Sequence, residues 1–232
     1  MVVEGEKVIR AAHEGGARIR ELYLAPDAGE SVEQLAPTAD VRRLAAGVIE
    51  RVASTVSPQS EIALVSRPEA TLESITDGRL LLIGVGVQDP GNAGTMVRTA
   101  LAAGASGILF TEGSVDVFSP KTVRSSAGAV FGLPVVEGMA AEDALDEVAR
   151  LGWTRLATDS GGSEDLYDAD LPERVAVVVG NEANGLPTTL ASRLDRTVRI
   201  PMLGAAESLN VAVASAVVCF ELVRRQRAGA PR

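Results

Sequence analysis

Residues able to do chemistry gather in three short stretches of this 232-residue chain. The first is Gln88-Asp89-Pro90-Gly91-Asn92-Ala93-Gly94-Thr95-Met96-Val97-Arg98, in which a carboxamide precedes a guanidinium by six residues. Its glycines raise the question of phosphate binding. No Lys follows Gly91 or Gly94, and Gly84 and Gly86 lack the third glycine of a dinucleotide fingerprint, so both nucleotide motifs fail. By residue type alone Asn92 suits a helix cap as readily as a reaction. Arg98, among Met96, Val97, Ala100 and Leu101, equally fits a solvated helix-face arginine.

The second stretch, Val179-Gly180-Asn181-Glu182-Ala183-Asn184-Gly185-Leu186-Pro187, directly follows an apolar run. Gly180 and Gly185 admit a positive φ or the close approach of a ligand to the backbone, and Asn181 and Asn184 tolerate the left-handed region. A plain turn accounts for the glycines, but Glu182 at the end of a buried strand requires a partner. The third stretch runs Ile200-Pro201-Met202-Leu203-Gly204-Ala205-Ala206-Glu207-Ser208-Leu209-Asn210-Val211-Ala212-Val213-Ala214. Ser208 can cap a helix starting there, with Asn210 in its first turn; capping explains Ser208 and leaves Asn210 unexplained.

Regular elements must hold these stretches in place. From Arg79 onward the pattern predicts strands over Leu80–Val85, Gly107–Thr111, Pro134–Val136, Thr154–Thr158, Val175–Val179 and Thr197–Ile200. Between and after them it predicts helices over Asn92–Ala103, Pro120–Ala127, Glu142–Leu151 and Ser208–Arg225. Short, almost wholly apolar strands separated by helices predict an α/β fold with a parallel sheet covered on both faces. Ligands of such sheets gather at the carboxyl ends of the strands, which singles out the loops after Val85, Thr158, Val179 and Ile200. Residues 1–66 read as a small α/β unit: a helix over Val3–His13, a stop at Gly15 and Gly16, a strand over Ile19–Leu24, and a second round ending in Ile62–Val65. Residues 67–78, polar and containing Pro68 and Gly78, read as a linker, which leaves 79–232 as the larger domain.

Composition narrows the function classes. A net charge of −9 is the reverse of a general nucleic-acid footprint, and 3% aromatic residues provide no stacking platform for bases. A lone cysteine, Cys219, cannot form an internal disulfide and fits a reducing, cytoplasmic setting. Glu4, Glu6 and Lys7 stand where an export signal needs an apolar run. Leu209–Val223, interrupted by Asn210 and Ser215, is too short for a bilayer span and reads as a buried helix, so no membrane partner is expected. No cluster of His, Cys and carboxylates has metal-ligand spacing, and His13 reads as a helix-surface residue.

In order and spacing, NxGxxxR at 92–98, GNExxGL at 180–186 and IPM…SLNVAVA at 200–214 resemble the three signature motifs of the SpoU (TrmH-type) RNA ribose 2′-O-methyltransferases of the SPOUT class. Ser119-Pro120-Lys121 and Arg124 to Ala129 resemble the segment between the family's motifs, and Val3 to Ile9 resembles the start of its small RNA-binding domain. The resemblance implies a C-terminal trefoil knot holding S-adenosylmethionine. It implies cofactor contacts from Gly180, Ile200 and Leu209, with Thr158, and catalytic positions at Asn92, Arg98, Glu182, Ser208 and Asn210. It implies an RNA substrate, ribosomal or transfer, met by the first unit. Arg10, Arg18, Lys121 and Arg124 stand near the matching segments and are the expected contacts. It also implies a homodimer, in which the final helix, apolar nearly all round, finds its second cover.

Methyl transfer to a ribose hydroxyl needs alignment and removal of a proton, and no metal. A free guanidinium has a pKa above 12, and holding an arginine neutral near pH 7 costs about 7 kcal/mol at ~1.4 per unit. Orientation of a phosphate, or lowering of the hydroxyl's pKa, is therefore the favoured role for Arg98, with literal base catalysis the rival. The alternative to an enzyme is a knotted module that kept the fold and binds RNA without catalysis; loss of Arg98 or Asn210 would mark it, and both are present.

Overall fold

A computed structural model describes residues 1–53, 57–75 and 77–229, so Thr76 of the expected linker and the last three residues lie outside it. Two sheets organise the chain. In the first, β1 (Val2–Glu4) pairs antiparallel with β4 (Glu61–Val65), β4 antiparallel with β2 (Ile19–Leu24), and β2 parallel with β3 (Asp40–Arg43). Helix α1 (Glu6–Glu14) buries Val8, Ile9 and Ala12, and the short helices α2 (Glu30–Gln34) and α3 (Ile49–Val52) fill the connections.

The helix expected over Val3–His13 is corrected at its start. Val2 and Val3 are β-branched and find ladder partners at Leu64 and Ala63, and Gly5, at φ 88°, turns the chain out of the strand before α1 begins at Glu6.

All seven strands of the second sheet are parallel, as the apolar runs predict. Along the chain come β5 (Leu80–Gly84), α4 (Pro90–Ala102), β6 (Gly107–Thr111), α5 (Pro120–Ser125), β7 (Val135–Met139) and α6 (Ala141–Arg150). Then follow β8 (Thr154–Thr158), β9 (Glu164–Asp165), β10 (Val175–Val179), β11 (Arg196–Arg199) and α7 (Val211–Gly229). Their order across the sheet is β7-β6-β5-β10-β8-β11-β9, so β10 enters between β5 and β8, and β11 lies beyond β8. The two-residue edge strand β9 was not expected.

Strand side chains alternate between two cores. Leu80, Leu82, Phe110, Val177 and Val179 face α4, α5 and α7, which contribute Met96, Val97, Val123, Val218 and Leu222. Leu81, Ile83, Leu109 and Val178 face α6 through Ala144, Leu145 and Val148. Leu72 and Ile75, from the expected linker, are buried in this second core. Burying an aliphatic side chain of this kind contributes roughly 1.5–3 kcal/mol, so the segment is anchored on the sheet.

Tight contacts join the two sheets' units. Gly15 and Gly128 leave no room for a side chain: a Cβ on the first would land on the Phe131 carbonyl, and one on the second on Ala11. Arg67 pairs with Glu137 and lies 4.4 Å over the Phe118 ring.

Candidate active site

The two asparagines exchange the roles that local sequence assigns them. Asp89, rather than Asn92, caps α4: its Oδ1 accepts the Asn92 backbone N–H at 2.8 Å, with Pro90 starting the helix. At α7 the cap is Asn210 and not Ser208; Asn210 Oδ1 accepts N–H groups from Ala212 at 2.9 Å and Val213 at 3.3 Å, so the helix begins at Val211. The Asn92 side chain is left free for long-range contacts.

A relay results. Asn210 Nδ2 donates to Asn92 Oδ1 at 2.8 Å, and Asn92 Nδ2 donates to Glu182 Oε1 at 2.9 Å. Its polarity is fixed at both ends by groups without a choice: an ionised carboxylate can only accept, and the N–H groups of a helix start can only donate. Glu182 also accepts the backbone N–H groups of Gln88 and Asp89, each at 3.3 Å. Partial burial pushes its carboxyl pKa up, but the hydrogen bond from Asn92 and those from the backbone outweigh this and hold it below the usual value. The carboxylate sought a partner, as the sequence demanded, and found the turn before α4.

Asn181 is the residue that sequence reasoning passed over. Its Nδ2 donates to the Gly86 carbonyl at 2.8 Å and its Oδ1 accepts from Ala183 N at 2.9 Å, tying the loop after β10 to the loop after β5. An asparagine just before a Glu in a glycine-bounded loop was the available signal. Gly185 has the positive φ its position invites, at 65°. Gly180 is required for a different reason than ligand approach: a Cβ there would enter the backbone of Gly185 as the loop closes on itself.

Beside the relay, the carboxyl ends of β8, β10 and β11 and the start of α7 enclose a cleft of about 540 Å³. Thr158, Gly180, Ile200 and Leu209 all line it, as does Ser208, whose side chain is exposed at its rim. Its ionisable residues are Asp159, Glu182 and Glu207, with no Lys or Arg among the lining residues. Such a cleft repels phosphate groups and suits a ligand carrying positive charge over an apolar and hydroxyl-bearing body. Among the described residues no group of His, Cys, Asp and Glu could hold a metal.

Arg98 stands apart. It lies six residues after Asn92 on α4, about 9 Å along the helix and on another side of it, exposed and in no ion pair among the described residues. It lines a second cleft, with Lys7, Glu14 and Ser126. Of the expected RNA contacts, Arg10 and Arg124 line a third cleft together, Arg10 held 2.6 Å from Glu6. Lys121 is exposed on α5, and Arg18, beside Ser66 at the start of β2, lines none of the three.

Residues 79–220 match the SpoU rRNA Methylase family. A 23S rRNA (guanosine(2553)-2′-O)-methyltransferase of Bacillus subtilis is 33% identical over 221 residues, 95% of this chain and 87% of that protein. A 23S rRNA (uridine(2479)-2′-O)-methyltransferase of Streptomyces viridochromogenes is 34% identical over 180 residues, 75% of this chain and 63% of that one. Among solved structures, the SpoU methyltransferase from Streptomyces viridochromogenes in complex with AdoMet superposes with a TM-score of 0.88 at 31% identity, covering 99% of this chain and 91% of that one. An AdoMet-bound rRNA methyltransferase from Sinorhizobium meliloti gives 0.87 at 33% identity, covering 97% and 87%.

Proposed function

Since the chain belongs to the SpoU rRNA Methylase family, we propose that it is an S-adenosylmethionine-dependent methyltransferase acting on a ribose 2′-hydroxyl of ribosomal RNA. The observation that carries this reading is the cleft at the ends of β8, β10 and β11, anionic and without a cation, joined to a polarised relay of Asn210, Asn92 and Glu182. S-Adenosylmethionine supplies a methyl group already activated on a sulfonium. Thr158, Gly180, Ile200 and Leu209 would hold it, and the three carboxylates complement its positive charge. Residues 79–232 form the proposed methyltransferase domain, in which a trefoil knot is in keeping with the strand order, and residues 1–66 the proposed RNA-binding domain, joined through 67–78.

Asn210 presents its amide at the cleft's edge, where a ribose can be oriented, and Asn92 holds that amide from behind through the relay. Glu182 is a positioning residue: it holds Asn92 and the backbone of Gln88 and Asp89 in place. Ser208 faces the cleft with its hydroxyl available. Arg98 orients the target phosphate or lowers the pKa of the attacking hydroxyl. Since Arg98 is remote from the cleft of its own chain, a second copy completing the site agrees with its placement. The exposed apolar line of Val213 (48%) and Phe220 (47%), with half-buried Val217 on the same face of α7, supports a homodimer built on this helix. A cytoplasmic setting accompanies an rRNA substrate and the buried free thiol of Cys219.

Two measurements test the reading. Calorimetry in chelator should show S-adenosylmethionine binding, and mass-spectrometric mapping of an unmodified 23S rRNA transcript incubated with enzyme and cofactor should locate one 2′-O-methyl ribose. Absence of binding, or methylation of bases alone, overturns it.

A further inference from the structure

Arginine supplies almost all the positive charge here, and the ion pairs consume much of it: Arg42, Arg43, Arg150, Arg155, Arg193, Arg196 and Arg199 each face a carboxylate. The chain has two lysines, Lys7 and Lys121. Lys7 is exposed on α1, in no ion pair among the described residues.

Its position is unusual. The cleft holding Arg98 (about 900 Å³) and the cleft holding Arg10 and Arg124 (about 910 Å³) meet at Lys7 and Ala127, the two residues that line both. The two clefts thus adjoin, forming a groove in two parts between α1 and the α4–α5 side of the larger sheet, with Arg98 lining one part, Arg124 the other and Lys7 both. Ala127, on its floor, has φ 52°, the one non-glycine described residue in the left-handed region, and Gly128 follows at 85°. Such a conformation is strained in a non-glycine residue, and residues of this kind gather at functional sites. The closely packed Gly15 and Gly128 hold the groove's walls in register.

The groove contains carboxylates as well. Glu14 and Glu69 line one part and Glu4, Glu6 and Glu61 the other; Glu6 is paired with Arg10, and Glu61 is buried. A uniformly basic patch would attract any polyanion. Placed cations among carboxylates instead suit a chain whose charges recur at fixed spacing and whose riboses offer hydroxyls.

We infer that this groove takes the sugar–phosphate backbone of the RNA flanking the methylated nucleotide, with Lys7 a phosphate contact where its two parts meet. The inference rests on the rRNA methyltransferase reading above and adds to it the path of the substrate and a residue, Lys7, to which that reading gives no part.

With two lysines in the chain, acetylation of amines read by mass spectrometry is a direct test. Lys7 should lose at least about threefold in reactivity when unmodified 23S rRNA transcript is added to the full-length protein with S-adenosylmethionine. Lys7→Gln should bind the transcript several-fold more weakly and lower the slope of log affinity against log salt by ~0.7–0.9, the value of one phosphate contact. Its affinity for S-adenosylmethionine should be unchanged. Arg196→Gln, on β11 toward the opposite edge of the sheet from β7, should leave affinity and slope alone. Equal reactivity of Lys7 with and without a transcript that the enzyme methylates, or an unaltered slope in Lys7→Gln, overturns the groove while leaving the enzyme reading intact. A wild-type protein that neither binds S-adenosylmethionine nor methylates the transcript removes that reading, and the groove with it.

Discussion

Asn210 hands a hydrogen bond to Asn92 across 2.8 Å, joining the first turns of two helices whose members lie 118 residues apart. The same Asn210 caps its own helix through its other amide atom. One side chain thus serves stability with its oxygen and the site with its nitrogen, and substitution can separate the two.

Asn210→Asp keeps the accepting oxygens and removes the donor. Thermal stability should stay within about 0.5 kcal/mol of the parent, while methyl transfer falls by at least about tenfold. Asn210→Ala removes both functions and should cost a further ~1 kcal/mol of stability. Denaturant melts beside single-turnover methylation separate the variants; equal activity in Asn210→Asp and the parent would show that the relay plays no part in the reaction.

Arg98→Ala should abolish methyl transfer and leave S-adenosylmethionine affinity within about threefold, because the arginine lies outside the cleft. Comparable loss of both in calorimetry and methylation assays would place Arg98 against the cofactor.

Val213→Glu and Phe220→Glu put charge on the apolar line of α7 at exposed positions, so neither disturbs the core of the single chain. Light scattering should find a dimer for the parent and a 24.0 kDa particle for the variants, with methylation lost in the variants. A fully active parent of 24.0 kDa would sink the dimer. Val217, half-buried against the body of the chain, would confuse assembly with folding.

Acid stability should reflect Glu221 near the end of α7. The hydrogen bond from Arg224, working against burial and joined by that from Arg225, holds its carboxyl at about 2, down from 4.5. A carboxyl depressed on folding contributes stability that is complete above about pH 4.5 and is lost as pH falls toward 2. Glu221→Gln should therefore be roughly 2 kcal/mol less stable than the parent at pH 7, with the gap closing by pH 2. Urea midpoints at the two pH values check this, and a gap that does not vary with pH would contradict it.

The parallel sheet was legible because strands buried on both faces are written as unbroken apolar runs; Gly107–Thr111, Thr154–Thr158 and Val175–Val179 were read to the residue. The first strand was not, since three residues acquire their structure from Ile62 to Leu64, far along the chain. The cleft proposed for the cofactor lies where strand ends meet, a place that the strand pattern marks in advance. Which residue caps which helix was not legible: Asp89 and Asn92, like Ser208 and Asn210, all have cap-forming oxygens within a few residues, and at α4 the Asn92 amide is engaged by Glu182 from another loop. The remoteness of Arg98 from the cleft was equally hidden, because helical spacing says which side of α4 it occupies without saying what lies opposite.

The order of the strands has a consequence for biosynthesis. All four strands of the first sheet are contained in the first 65 residues, so that unit holds its full set of pairings while most of the chain is still to be made. The cleft lacks a wall until Leu209 to Ala214 arrive, and Arg225 fastens the carbonyls of Leu166, Tyr167 and Ala169 later still. A nascent copy thus carries the helix bearing Lys7 long before the cleft proposed for the methyl donor is enclosed. The cleft is closed only once Val211 to Ala214 have been made, and a message cut short ahead of Val211 encodes a protein that keeps the first sheet and lacks the cleft's last wall.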